Sequence, residues 1–140
     1  MSSPNFKPMR WQCSQNGCYN DKLRLKFGVF KDSLPGKISF TDVDGTVEVN
    51  GYFLFLEFKS GMPSELPFGQ RIYLERLTRL SRRVKAILAA GDAETMEVSH
   101  IRIADNGKFG PWEPIDIDGL KRRIKAWSDR ASAMPRFLGS

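Results

Sequence analysis

The pattern of apolar and polar positions changes period several times along this chain, and each change marks an element. Residues 1–36 show no period and are punctuated by Pro4, Pro8, Gly17, Gly28, Pro35 and Gly36, so they read as irregular, with one short helix around Asp21–Lys26. From Lys37 the sequence KISFTDVDGTVEV is rich in β-branched residues and alternates, which predicts a strand. Asn50-Gly51 follows, the dipeptide best suited to a two-residue type I′ hairpin, and YFLFLEFK after it is almost continuously apolar, as in a strand covered on both faces. After the loop SGMPSELPFG, the spacing of Tyr73, Leu77, Leu80, Val84 and Ile87 predicts a helix from about Gln70 to Ala90, with Gly91 as its stop. Thr95–Ala104 reads as a strand ending in the turn Asp105-Asn106-Gly107. Asp118 reads as the N-cap of a last helix with the stripe Leu120, Ile124, Trp127 and Ala131. These elements predict a mixed α/β fold, a central β-sheet flanked by helices, in one domain over 1–140 with its core at 37–133.

The turn fixes a register. With Asn50 and Gly51 as the loop, Val49 faces Tyr52, Glu48 faces Phe53 and Val47 faces Leu54. Further out, Asp44 faces Glu57 and Asp42 faces Lys59, so all four of these ionisable side chains share one side of the sheet.

Composition narrows the class. The chain has 140 residues and 15.9 kDa, with 41% hydrophobic and 27% charged residues, as in an ordinary globular domain. No apolar run, Tyr52–Leu56 among the longest, approaches the length that spans a bilayer. The opening MSSPNFKPMR lacks the apolar core of a secretory signal, so a cytoplasmic protein without a membrane partner is expected. Two cysteines are too few for a disulfide scaffold.

The net charge is +6, unevenly spread. Between Lys37 and Met62 the acids Asp42, Asp44, Glu48 and Glu57 outnumber Lys37 and Lys59. Arg71, Arg76, Arg79, Arg82, Arg83 and Lys85 then face Glu75 alone, and six further bases between Lys121 and Arg136 face only Asp129. Basic surfaces of this kind attract polyanions, and Arg71, Arg79, Arg82, Arg83, Lys121 and Arg122 are the candidate nucleic-acid contacts.

Two carboxylates opposed across a buried hairpin repel, and burial adds to the cost. Lys59 offsets part of this; a divalent cation would offset more. Mg²⁺ favours one or two carboxylates plus waters that bridge to phosphate oxygens, and it can activate water against a phosphodiester. Lys59 would orient that water or stabilise charge on the phosphate.

Asp44, followed after twelve residues by Glu57-Phe58-Lys59 on a hairpin, resembles the D-x(n)-E-x-K signature of the PD-(D/E)XK nucleases, most of all the small phage-type VRR-NUC and Holliday-junction-resolvase-like members. Val43 stands where proline often precedes the acid. The resemblance covers roughly Lys37–Leu88. It implies a restriction-endonuclease-like αβββαβ core and a Mg²⁺- or Mn²⁺-dependent, structure-preferring DNA endonuclease, with RNA also open as substrate. It further implies Asp44, Glu57 and the Phe58 backbone carbonyl as metal ligands, Lys59 as the catalytic lysine and Gln70 at the head of a helix beside the site. Asp42 could bind a second ion or support Lys59. A phage origin would place the protein in the host cytoplasm, and cutting two strands would favour a homodimer. The rival functions are a non-catalytic nucleic-acid-binding protein and a phage-encoded protein-interaction module on the same fold.

Other chemistry is thinner. Cys13-x4-Cys18 has the spacing of half a structural zinc site but lacks two ligands, so ordinary reduced thiols are preferred. His100 is the sole histidine, and P-loop, serine-hydrolase and zincin motifs are missing. Trp127 is expected in the core, while Trp112 beside Pro111 is the candidate base stacker.

Overall fold

The computed structural model describes residues 26–63 and 68–135. Cys13, Cys18 and, but for Lys26, the short helix expected around Asp21–Lys26 lie outside the described residues. The chain divides into two units, Met1–Thr41 and Asp42–Ser140. In the first, a 3-10 helix spans Phe27–Ser33, and the Phe40 ring stacks on Phe27 with centroids 5.1 Å apart and meets Phe30 edge-on at 5.5 Å.

The second unit is mixed α/β. Its strands are β1 (Gly45–Val49), β2 (Tyr52–Ser60), β3 (Val84–Asp92), β4 (Glu97–Asp105), β5 (Lys108–Phe109) and β6 (Glu113–Pro114); its helices are α1 (Phe68–Arg79) and α2 (Ile117–Ala133). The six strands form one sheet in the order β1-β2-β3-β4-β5, with β6 also on β4. β2 and β3 are parallel, joined through α1, and the other pairings are antiparallel. Among the described residues no helix is long and apolar enough to cross a membrane.

The hairpin holds the expected register, Val49 opposite Tyr52 through Gly45 opposite Leu56. Asn50 and Gly51 both take positive φ, 53° and 84°, the geometry a type I′ turn demands. Asn106 and Gly107 repeat it, with φ of 54° and 86°, between β4 and β5.

The sheet carries a core on each face. Leu54, Ile87, Ala89, Val98 and Ile101 pack with Leu120 and Trp127 of α2, while Ala86, Ala104 and Phe55 pack with Leu74 and Leu77 of α1. Because side chains alternate, the odd-numbered positions of β2, Glu57 and Lys59 among them, face the α1 side.

Four sequence expectations change. The helix from Gln70 ends at Arg79, and Val84–Asp92 is a central strand. A parallel strand covered on both faces is apolar at every position, so VKAILAA carries no period to distinguish it from a buried helix. Leu80, expected in the core, is 78% exposed, and Arg82 and Arg83 sit in the turn ahead of β3 rather than on a helix. Gly91 is not a helix stop: the register shifts between Ala90 and Gly91, and a Cβ on Gly91 would overlap the Glu97 carbonyl. The first strand begins at Gly45, not Lys37, because the Asp44 carboxylate takes the Phe58 amide in place of a ladder bond. The N-cap of α2 is Asp116, whose Oδ1 accepts from the Gly119 amide at 2.8 Å, while Asp118 lies in the first turn. The expected stripe of α2 is in place, with Leu120, Trp127 and Ala131 buried.

Candidate functional site

The acid pair forms where β1 runs out. Asp44 precedes Gly45, the last paired residue of β1, and lies beside Glu57 of β2. The Asp44 amide donates to Glu57 Oε2 at 3.2 Å, and the Phe58 amide donates to Asp44 Oδ2 at 2.7 Å. Gln70, in the first turn of α1, donates from Nε2 to Glu57 Oε1 at 3.3 Å. The first turn of α1 thus meets the acid through Gln70.

The two acids differ in environment. Glu57 is 6% exposed, whereas Asp44 is exposed, so solvent reaches the pair from one side. Burial is the largest influence on the Glu57 carboxyl and raises its pKa above the ordinary 4.5; the nearby charges of Asp44 and Asp42 push the same way. The hydrogen bonds from the Asp44 amide and Gln70 oppose the rise without cancelling it. Asp42 therefore lies close enough to act electrostatically on Glu57, ahead of the strand rather than in a ladder.

Lys59 lies two residues beyond Glu57 on the same face and is half-buried. Among the described residues no ion pair joins it to either acid. Phe58 sends its amide towards Asp44; in a strand the amide and carbonyl of one residue point to the same edge, so its carbonyl also faces that side. Asp44, Glu57 and this carbonyl are the groups that could hold a cation. Among the described residues no cluster of three or more His, Cys, Asp or Glu side chains has the arrangement of a metal site. This donor set fits a hard ion that keeps much of its water, and not a closed zinc site.

The candidate nucleic-acid contacts divide between regions. Arg71 follows Gln70 on α1 and pairs with Glu75 at 3.3 Å. The Arg79 side chain packs against Gly107. Lys121 and Arg122 are exposed on α2, on the face of the sheet opposite the acid pair. The bases are also less uniformly unpaired than composition suggests, since Arg123 meets Glu113 at 2.6 Å and Lys125 meets Asp129 at 3.2 Å.

The sequence reading passes over Arg102 and takes His100 only as the sole histidine. The pairings of β2, β3 and β4 set Glu57, Leu88 and Arg102 in one row across the sheet, and Lys59, Ala90 and His100 in the next. Arg102 is fixed by a bond from its Nε to the Gly110 carbonyl at 3.0 Å, with its guanidinium over the rings of Phe109 and Trp112, at 4.9 and 5.6 Å. Trp112 is thus half-buried against Arg102. The alternation in HIRIA signals that His100 and Arg102 share a face, but only the strand order puts them in the rows of Lys59 and Glu57, two strands away.

Comparison with known proteins finds no family model, curated protein or solved structure that matches this chain.

Proposed function

We propose that this protein is a metal-dependent nucleic-acid phosphodiesterase, a structure-preferring DNA endonuclease of the PD-(D/E)XK type. The observation that carries the reading is the interlocked acid pair, Asp44 and Glu57, tied to each other through backbone amides and to Gln70 at the head of α1. An acid buried beside a second acid works against folding stability, and a bound cation is the simplest compensation.

Asp44, Glu57 and the Phe58 carbonyl would hold Mg²⁺ or Mn²⁺, which when bound polarises the phosphodiester and acidifies water. Gln70 donates to the Glu57 carboxylate and so helps to orient it. Lys59, on the same face, meets the negative charge that grows on the phosphate as the nucleophile attacks. The order β1-β2-α1-β3, with the acid and E-x-K on adjacent strands and a parallel partner after the helix, is compatible with a restriction-endonuclease-like core, although the described residues supply two strands before α1 rather than three.

The test is incubation of the full chain with branched, duplex and single-stranded DNA and with RNA, with Mg²⁺, Mn²⁺ or chelator. Metal-dependent scission supports the reading. Salt-sensitive binding without scission by any substrate would favour the non-catalytic rival.

A further inference from the structure

A concave site lies away from the acid pair. A cavity of about 200 Å³ opens between the β2 and β3 starts and the end of α2, lined by Tyr52, Arg82, Lys85, Trp127, Arg130 and Met134. Tyr52 and Glu57 are five residues apart on β2, about 17 Å along an extended strand. Tyr52 also faces α2, whereas Glu57 faces α1. The cavity and the acid pair are therefore separate in both position and face.

Three cations surround this cavity. Arg82 and Arg130 are exposed and come from the turn before β3 and the last turn of α2, while Lys85 Nζ lies 3.8 Å from the Asp105 carboxylate. A fourth cation, Arg83, places its guanidinium 5.6 Å from the centre of the Tyr52 ring. Like charges gathered round a concave apolar floor repel one another and concentrate a positive potential where an anion would sit. A helix C-terminus ordinarily opposes this with its free carbonyls. Here the Asn50 side-chain amide covers two of them, donating to the Ala131 and Met134 carbonyls at 3.0 and 2.9 Å. The floor is aromatic and rigid, since Trp127 is 7% exposed and belongs to the core.

We infer that this cavity binds a nucleotide unit, with its phosphate held by Arg82, Lys85 and Arg130 and its flat base against the half-buried Tyr52 ring, over the floor that Trp127 sets. Charge alone would serve any anion; the aromatic floor selects one that carries a planar ring. The unit comes either as a free mononucleotide or as part of a single strand. The assignment does not depend on the acid pair.

Calorimetric titration of the full chain at low salt, without metal, tests it with adenosine 5′-monophosphate, adenosine, inorganic phosphate and a short single-stranded oligonucleotide. The expected result is saturable one-to-one binding of the monophosphate, with adenosine and inorganic phosphate each at least 10-fold weaker. Arg82→Ala combined with Arg130→Ala should weaken it at least 10-fold while far-ultraviolet circular dichroism stays unchanged, since both side chains are exposed. Asp44→Ala should bind as the unaltered chain does. Tighter binding of the free monophosphate assigns the free nucleotide as the source, and tighter binding of the oligonucleotide assigns the strand. Absence of saturable binding, inorganic phosphate binding as well as the monophosphate, affinity that survives the double substitution, or affinity lost in Asp44→Ala would each overturn the assignment.

Discussion

Asp44 and Glu57 hold each other through the backbone. The Asp44 amide donates to the Glu57 carboxylate at 3.2 Å, and the amide of the residue after Glu57 donates to the Asp44 carboxylate at 2.7 Å. Each acid is thus oriented by the strand segment that carries the other. This costs no extra side chain and leaves each carboxylate lone pairs for a further partner.

The raised pKa of Glu57 makes stability depend on pH in a definite sense. A carboxyl whose folded-state pKa exceeds its unfolded value contributes stability in full below the unfolded value, about 4.5 here, and loses it as pH rises through the folded value. The urea midpoint of the metal-free protein should therefore fall, relative to Glu57→Gln, as pH is raised from 4.5 towards neutrality. Taking the difference removes the carboxylates common to both proteins. A difference independent of pH would show that Glu57 is not perturbed.

Lys59→Ala should lower the cleavage rate on the order of 10²-fold, the range for loss of one transition-state stabiliser, with DNA affinity little changed. Single-turnover kinetics with saturating DNA measures this. A near-normal rate would remove Lys59 from the catalytic set.

Electrostatic contact with nucleic acid should follow the faces of the sheet. Arg71 adjoins Gln70, whereas Lys121 and Arg122 sit on α2 across the sheet from the acid pair. Arg71→Ala should reduce the slope of log affinity against log salt by about one phosphate contact, roughly 0.9 on duplex, and the Lys121→Ala, Arg122→Ala double substitution should leave it unchanged. Fluorescence anisotropy across a salt series measures both. The opposite ranking would place the duplex on the α2 face.

Asn50 couples the hairpin to the last helix. It takes the left-handed turn conformation and donates to two carbonyls at the end of α2. Asn50→Gly keeps the turn but loses both bonds, at a cost of about 1–2 kcal/mol. Asn50→Asp should cost more, because its carboxylate would face those carbonyls. Denaturant unfolding that finds Asn50→Asp as stable as the unaltered chain would contradict this coupling.

What was legible in the sequence was local. Asn50-Gly51 dictates a two-residue turn, and the register follows by counting as far as Gly45 opposite Leu56; beyond it Asp44 meets Glu57 through side-chain bonds and not through the expected ladder. The stripe Leu120, Ile124, Trp127 and Ala131 was legible because a surface helix buries one face. Val84–Ala90 was not, because a strand covered on both sides keeps no periodic signature. Read as helix, this segment places Arg82 and Arg83 on an element they do not occupy. Asp116 and Asp118 both suit an N-cap, and only the bond to Gly119 separates them. The row from Glu57 to Arg102, the bond between Asn50 and Ala131, and the cavity beside Trp127 arise from strand order and from residues far apart in the chain. No local pattern reports them.

If the interlocked acids Asp44 and Glu57 form a cleavage site as proposed, scission depends on both. The direct measurement is single-turnover scission of a labelled branched DNA by the unaltered chain, Asp44→Ala and Glu57→Ala, each with Mg²⁺ and with chelator, alongside DNA affinity by anisotropy. Mg²⁺-dependent cutting is expected of the unaltered chain only, with both variants binding DNA at least as tightly, since removing an acid lessens repulsion of phosphate. Cutting by either variant at a near-normal rate, or cutting by the unaltered chain that persists in chelator, would contradict it.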